Sequence, residues 1–360
     1  MVRIKDIAKE AKVSEGTVDR VLHNRGGVSK TTEARIKKII SDKKFSINPV
    51  ASALAMKNKY TITVLMPEFS EEDAFWKSPY LGILKATNEL QNLGVTVHII
   101  HFNQYKAQSY EQASQKVYKT NPTAVLLVPL FRKETNQFVQ ELDKLDIPYA
   151  FLNVNMDGFN NLFFIGQDSY TAGYLAGKLS ALSLKPQSKI LLIQTRDNID
   201  NNTTISKRIE GFTSYFKDVY SKAPSIILKI ENLDDKKGTE QSIRTQLSNT
   251  PAIEGIFVPS SRASAIVTSL PKTVIEKLSI IGFDTTPQNT QCLKEGTIPF
   301  LISQKTFDQG LEAIRLLADY LTAKKTPVKK VYLPIDILTK ENLAYNEGSQ
   351  YHFEREVSLS

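Results

Sequence analysis

Ile4-Lys5-Asp6-Ile7-Ala8-Lys9-Glu10-Ala11-Lys12-Val13-Ser14-Glu15-Gly16-Thr17-Val18-Asp19-Arg20-Val21-Leu22 reads as two short helices joined by a tight turn. Ile4, Ile7, Ala8 and Ala11 recur at the spacing of one helical face. Val13-Ser14 interrupts that pattern, and Ser14 can cap a second helix running from Glu15 to about His23. Val18, Val21 and Leu22 give the second helix its inward face. Arg25-Gly26-Gly27 is a turn. Ser29 then caps a third helix, whose Ile36, Ile39 and Ile40 face inward. Two short helices with a tight turn, braced by a third, make a helix-turn-helix that presents its second helix outward.

Charge separates this head from the rest. The 360-residue chain carries +8, and residues 1–60 hold 14 lysines and arginines against six acids, so the whole excess lies in one sixth of the chain. A small helical module with this much charge of one sign suits a polyanion. The length allows two or three domains, and 41% hydrophobic with 23% charged residues is an ordinary globular composition. No apolar run approaches the ~20 residues of a membrane span. Met1–Asp6 lacks the apolar core of a signal peptide. The single cysteine, Cys292, excludes an internal disulfide framework, and the expected location is the cytoplasm.

Between head and body lies Asn48-Pro49-Val50-Ala51-Ser52-Ala53-Leu54-Ala55-Met56. Asn48 can cap a helix here, and Pro49 fits its first position, where the missing N–H costs nothing. Isolated helices below roughly 12–15 residues are marginal in water, so this one is expected to order only when something supports it. Lys57-Asn58-Lys59 links it to the body.

From Thr61 onward, ten apolar runs, from Ile62–Met66 to Pro299–Ile302, alternate with helical stretches such as Leu81–Leu93, Ala172–Leu184 and Phe307–Leu321. This alternation predicts parallel sheets covered on both faces. Ten strands exceed one compact core, so two lobes are expected. Ligands of such sheets bind beyond the carboxyl ends of the strands, and a cleft between lobes can close by hinging. Pro334-Ile335-Asp336-Ile337 reads as a last strand, and residues 346–360 as a loose polar tail.

The head resembles the N-terminal domain of the lactose-repressor (LacI/GalR) family. The resemblance rests on Asp6-Ile7-Ala8, on Val13-Ser14 with Thr17-Val18 and Arg20-Val21, on Val28-Ser29, and on Asn48 with Ala51-Ser52-Ala53-Leu54, in the family's order and spacing. It implies that Ser14, Thr17 and Ser29 bind phosphates of an operator duplex. Arg20 is then a bidentate guanine contact or a phosphate contact. Glu15 and Gly16 fall where the family reads bases. Gly16 has no side chain to read with, and Glu15 can accept from a cytosine amino group or repel wrong sequences. Lys12 stands where the family often has glycine, and Asp19 where serine is common. The resemblance makes Asn48–Met56 a hinge helix that pairs with its twin in the minor groove, with Asn48 and Ala51 at the DNA and Leu54 wedged into the central base step.

The body resembles the type I periplasmic sugar-binding-protein fold that the same family carries as its sensor. The markers are Phe75-Trp76, Ile165-Gly166-Gln167-Asp168, Arg208-Ile209-Glu210-Gly211-Phe212, Ile281-Gly282-Phe283-Asp284 and Ser303-Gln304. This implies domains at 1–47 (helix-turn-helix), 48–60 (hinge and linker) and 61–345 (effector domain). The first lobe would span about 61–165 and 304–328, the second about 166–303 and 329–345, with crossings near 165, 303 and 328. The implied effector residues are Phe75 and Trp76 for stacking, with Asn153, Arg208, Ser260, Asp284 and Gln304 for polar contacts. Asn153 replaces an acid common in sugar binders, and Ser260-Ser261 an Asn-Asp pair. Asp168 binds ligand or caps the next helix, capping being favoured.

The expectation is therefore a DNA-binding transcription regulator, dimeric on a near-palindromic operator, controlled by a sugar in the interlobe cleft. A nucleobase or other non-sugar metabolite is the alternative ligand, and a transport binding protein the alternative class. No enzyme is expected, because the chain holds no P-loop, no Gly-x-Ser-x-Gly and no Cys–His pair in matching context. No cofactor or metal is expected either: His98 and His101 lie three apart on a strand and face opposite sides.

Overall fold

The computed structural model describes residues 4–22, 26–43, 59–90, 93–185, 187–195, 203–220, 225–346, 350 and 353–354. The expectations for Asn48, Ala51 and Leu54 lie outside these. The chain divides into two compact units, one ending at Asn58 and the other beginning at Lys59.

In the head, α1 (Ile4–Ala11), α2 (Glu15–Leu22) and α3 (Lys30–Asp42) enclose a small core of Ile7, Ala8, Ala11, Val18, Val21 and Ile36. Lys12 itself takes the left-handed conformation at φ 52° to end α1, the place the family often gives to glycine. Ser14 Oγ accepts from the Thr17 amide at 3.2 Å, and Ser29 Oγ from the Thr32 amide at 3.3 Å, so both helix starts are capped. Lys43 pairs with Glu10 at 2.8 Å, tying the end of α3 to α1. The outer face of α2 exposes Glu15, Gly16 and Arg20.

The body holds two six-stranded sheets. The first runs β11-β5-β4-β3-β1-β2, with β1 (Tyr60–Pro67), β2 (Val95–Phe102), β3 (Ala124–Leu127), β4 (Tyr149–Leu152), β5 (Phe164–Gly166) and β11 (Lys330–Tyr332). All its neighbours pair parallel. Its helices include α4 (Lys77–Leu90), α5 (Ala107–Tyr118), α6 (Arg132–Lys144) and α13 (Thr306–Ala323). The second sheet runs β12-β10-β9-β8-β6-β7, with β6 (Lys189–Gln194), β7 (Ser225–Lys229), β8 (Ile253–Phe257), β9 (Ser279–Phe283), β10 (Phe300–Ser303) and β12 (Asp336–Leu338). Here β12 pairs antiparallel with β10, a departure from the all-parallel expectation. Its helices are α7 (Ser169–Ser183), α8 (Thr203–Tyr220), α9 (Lys236–Asn249), α10 (Ala263–Thr268), α11 (Lys272–Ile275), α12 (Pro287–Lys294) and α14 (Leu343–Asn346). In both sheets the order reverses beside the first strand, β1 or β6, which places a ligand crevice at the carboxyl ends.

Two expectations are corrected. The third crossing does not fall near 328. Lys330–Tyr332 pairs with Phe164–Gly166 in the first sheet, so the chain leaves that lobe only after Tyr332. The tail is not loose at its described residues: Phe353 is buried with its ring 6.2 Å from that of Phe307, and Gln350 accepts from Ser78 at 2.8 Å.

One packing constraint matters for the site. Helices α7 and α8 cross through glycines. A Cβ on Gly173 would lie 2.0 Å from the Arg208 carbonyl oxygen, and one on Gly211 would lie 2.0 Å from that of Tyr170. No side chain fits at either position without moving backbone. Gly82 and Gly310 make the same close approach between α4 and α13. Gly211→Ala is expected to lower stability by about 1–3 kcal/mol or more, measured as the denaturant midpoint; an unchanged midpoint would contradict the close approach.

Candidate functional site

The carboxyl ends of both sheets face one cavity of about 360 Å³. Its lining includes all seven residues singled out from the sequence: Phe75, Trp76, Asn153, Arg208, Ser260, Asp284 and Gln304. Each is placed by a strand end or a following helix. Phe75 and Trp76 follow β1, and both line the cavity. Their rings meet edge-to-face, 4.9 Å apart at 86°. Trp76 is buried, and Phe75 is half-buried.

Arg208 projects from α8 and is 2% exposed. Its Nη1 donates to the Pro259 carbonyl at 2.9 Å, and its guanidinium lies 3.7 Å from the centroid of Phe283. Its Nε and Nη2 have no partner among the described residues. Unpaired buried donors are costly, so this arginine is set to receive an acceptor that enters the cavity. Burial lowers its pKa to about 10, opposed by the charge of Asp284. Asp284 is also buried. Burial raises its pKa, while Arg208 and the hydrogen bond from Gln304 pull it back.

A relay of amides connects the lobes behind this pair. Asn153 Nδ2 donates to Gln304 Oε1 at 3.0 Å, and Gln304 Nε2 donates to Asp284 Oδ1 at 2.7 Å. Asn153 ends a strand of the first sheet, Asp284 ends one of the second, and Gln304 sits on a crossing segment between them. Asn153 and Asp284 both hold positive φ, 66° and 73°. Asn and Asp tolerate this conformation better than most residues. Gln309 joins the relay, accepting from Asn153 at 2.9 Å and donating to the Gln304 carbonyl at 2.7 Å.

Other positions resolve differently. Asp168 caps α7 through the Thr171 amide at 3.1 Å, which accounts for its side chain. Ser260 shares a hydrogen bond with Thr195 at 3.0 Å, so its hydroxyl is held at the cavity wall. Asp234 lines the cavity, while its neighbour Asp235 caps α9 through the Gly238 amide. Asn289 was missed. It is fully buried, donating to the Ser261, Phe283 and Asp284 carbonyls and accepting from the Ser264 amide, and so ties together the two second-lobe loops that carry Ser260 and Asp284. An asparagine three residues into a short helix gives no sequence signal of that role. Among the described residues no cluster of His, Cys, Asp and Glu could hold a metal ion, and no helix is long and apolar enough to cross a membrane.

Residues 62–325 match the family described as periplasmic binding protein domain, and residues 3–48 match that described as bacterial regulatory proteins, lacI family. The chain carries at its head a domain of the lacI family of bacterial regulatory proteins. Its body belongs to the periplasmic binding protein domain family, which spans more than half its length. The chain is 24% identical over 351 residues to the ribose operon repressor of Lactococcus lactis, covering 95% of this chain and 98% of that one. It is 26% identical over 353 residues to the sucrose operon repressor of Streptococcus mutans, covering 95% and 100%. A protein from Bacteroides fragilis assigned as a LacI transcriptional regulator has a crystal structure that superposes with a TM-score of 0.74 at 27% identity, covering 80% of this chain and 99% of that one. The glucose-galactose binding protein of Geobacillus stearothermophilus shares the fold at a TM-score of 0.67 and 22% identity, covering 80% and 99%. With a lacI-type DNA-binding domain and a sensor body, the chain is a DNA-binding transcriptional regulator, and the relatives it matches are named repressors.

The buried pair gives a pH-dependent test. Arg208→Leu leaves Asp284 buried without its cation and raises its folded-state pKa further above the unfolded value. An acid shifted upward destabilises the fold once pH exceeds the unfolded pKa, and the loss shrinks as pH falls and the folded carboxyl protonates. The stability gap to the parent is expected to be larger at neutral pH and smaller in mild acid. Adding Asp284→Asn should close much of it. Denaturant unfolding across pH checks this, and a gap independent of pH would contradict it.

Proposed function

We propose that the cavity binds a neutral, polyhydroxylated small molecule, a sugar of mono- to disaccharide size, and that this ligand sets the operator affinity of a homodimeric repressor. The carrying observation is Arg208, buried over the Phe283 ring with two donors unpartnered among the described residues, in a cavity fed by strand ends of both lobes. Sugars present apolar C–H faces and rings of hydroxyls. Phe75 and Trp76 supply the aromatic side, and Arg208 and Asp284 with the Asn153 and Gln304 amides supply donors and acceptors.

Charge favours an unphosphorylated ligand. Among the described residues the cavity lining carries five carboxylates (Glu72, Asp73, Glu231, Asp234 and Asp284) against Arg208 and Arg262. A field of that sign repels a phosphate ester and leaves a neutral sugar unaffected. The relatives named after ribose and sucrose operons are consistent with this class.

DNA contact belongs to the outer face of α2. Arg20 and Glu15 are exposed there over the buried Val18 and Val21, with Thr17 and the two capping serines, Ser14 and Ser29, near the helix starts. Asn48, Ala51 and Leu54, outside the described residues, complete the reading as hinge residues that contact the operator beside a second copy. Ligand-driven change in lobe geometry then shifts the population of ordered hinges.

A thermal-shift series on the full chain tests the ligand class. At a hundred times its dissociation constant a true ligand stabilises by about 2.7 kcal/mol, roughly 5 °C in melting temperature. D-ribose, D-glucose and sucrose are the first neutral sugars to try, each against its phosphate ester. A shift with a neutral sugar and none with its ester is expected. A shift with adenine or hypoxanthine and none with any sugar would replace the sugar by a nucleobase.

A further inference from the structure

The loop after β1 carries a carboxylate, Asp73, on whose Oδ2 three donors converge. Gln104 Nε2 donates at 2.5 Å and the Tyr105 hydroxyl at 2.8 Å, both from the segment after β2 in the same lobe. The third donor is Arg262 Nη2 at 2.7 Å, from the other lobe, where Arg262 stands at the start of α10. Arg262 also donates to the Tyr105 hydroxyl at 2.6 Å and to the Glu72 carbonyl at 3.4 Å. Gln288, at the start of α12, donates to the Glu71 carbonyl at 2.7 Å. The second lobe thus grips the loop at three consecutive residues.

The loop is built to hold Asp73 in place. The Asp73 amide donates to Ser70 Oγ at 3.2 Å, and the Ser70 amide donates to the Asp73 carbonyl at 3.3 Å. Trp76, three residues on, donates its indole Nε1 to Gln104 Oε1 at 3.3 Å. The Gln104 amide therefore has its donor end on Asp73 and its acceptor end on Trp76, so the first contact sets the orientation that the second requires. The ion pair is about three-quarters buried, with side-chain exposures of 26% and 21%, so it is less screened than a surface pair.

We propose that Asp73 is a positioning residue that latches the two lobes across the cavity mouth through Arg262, and that the same latch orients Trp76 through Gln104. Closure and presentation of the aromatic wall are then one event. A ligand that stacks on Trp76 gains affinity from the closed state, and whatever opens the latch loosens the wall. None of this depends on the ligand being a sugar.

Trp76 is the only tryptophan, so its emission reports the latch in the full chain without any ligand. Asp73→Asn removes the charge at nearly constant shape, and Arg262→Gln removes the cation from the other side. Either change is expected to shift the opening equilibrium by about fivefold, seen as stronger acrylamide quenching of Trp76 and a red-shifted emission maximum. Far-UV circular dichroism and melting temperature verify that each variant is folded, and Arg262→Gln alone carries the test if Asp73→Asn is not. The double variant should quench less than the sum of the two singles, because both remove the shared Asp73–Arg262 ion pair. Unchanged quenching and emission in folded single variants overturn the latch, and an additive rise in the double variant overturns the pairing.

Discussion

The backbone of Arg208 lies against Gly173, and that contact fixes where the guanidinium ends. With no Cβ between them, α7 and α8 approach until carbonyl meets Cα, and Gly211 repeats the approach from the other side. Arg208 is then delivered to the cavity wall over Phe283, with one donor on Pro259 and two that no described residue meets. A protein interior does not deform continuously, so any bulk at either glycine displaces the arginine by a discrete step. The charge of Arg208 in turn makes a buried Asp284 tolerable, and Asp284 anchors the amide relay through Gln304 to Asn153. A helix crossing in one lobe is thereby connected to a strand end in the other.

The chain path makes this connection mechanical. It leaves the first sheet after β5, returns after β10, and leaves again after β11. Gln304 lies on the second of these passages, and Lys305 beside it takes a left-handed φ of 54° at the start of α13. The cavity is thus backed by the crossing segments and rimmed by loops at the strand ends. Asp73 and Arg262 meet on that rim, so a ligand touches both a hinge-side network and a closing contact.

Much of this was legible in the sequence, for definite reasons. The head was readable because apolar spacing, two serine caps and the Gly26-Gly27 turn agree at every level. All seven predicted cavity residues line one cavity because each sits just past the carboxyl end of an apolar run, in the loop beyond it or on the helix that follows, where a doubly wound sheet places its ligand. The failures are equally specific. Lys330–Tyr332 is a three-residue edge strand, half exposed, with no apolar run to announce it. Asn289 and the Asp73 latch depend on side-chain contacts between residues far apart in the chain, such as the 189 positions between Asp73 and Arg262, and no local pattern encodes these. Phe353 is one aromatic in a polar tail, and only its burial against Phe307 shows what it does.

The head and the body together state one claim: occupancy of the cavity changes the affinity of the head for DNA. The direct measurement is operator affinity of the full chain, on a duplex selected from a random library, with and without a saturating concentration of the sugar that raises the melting temperature. Coupling between two sites in allosteric proteins is usually about 5- to 150-fold, and the account predicts a change in that range that disappears in the Arg208→Leu/Asp284→Asn double variant. Equal operator affinity with the cavity full and empty would contradict it.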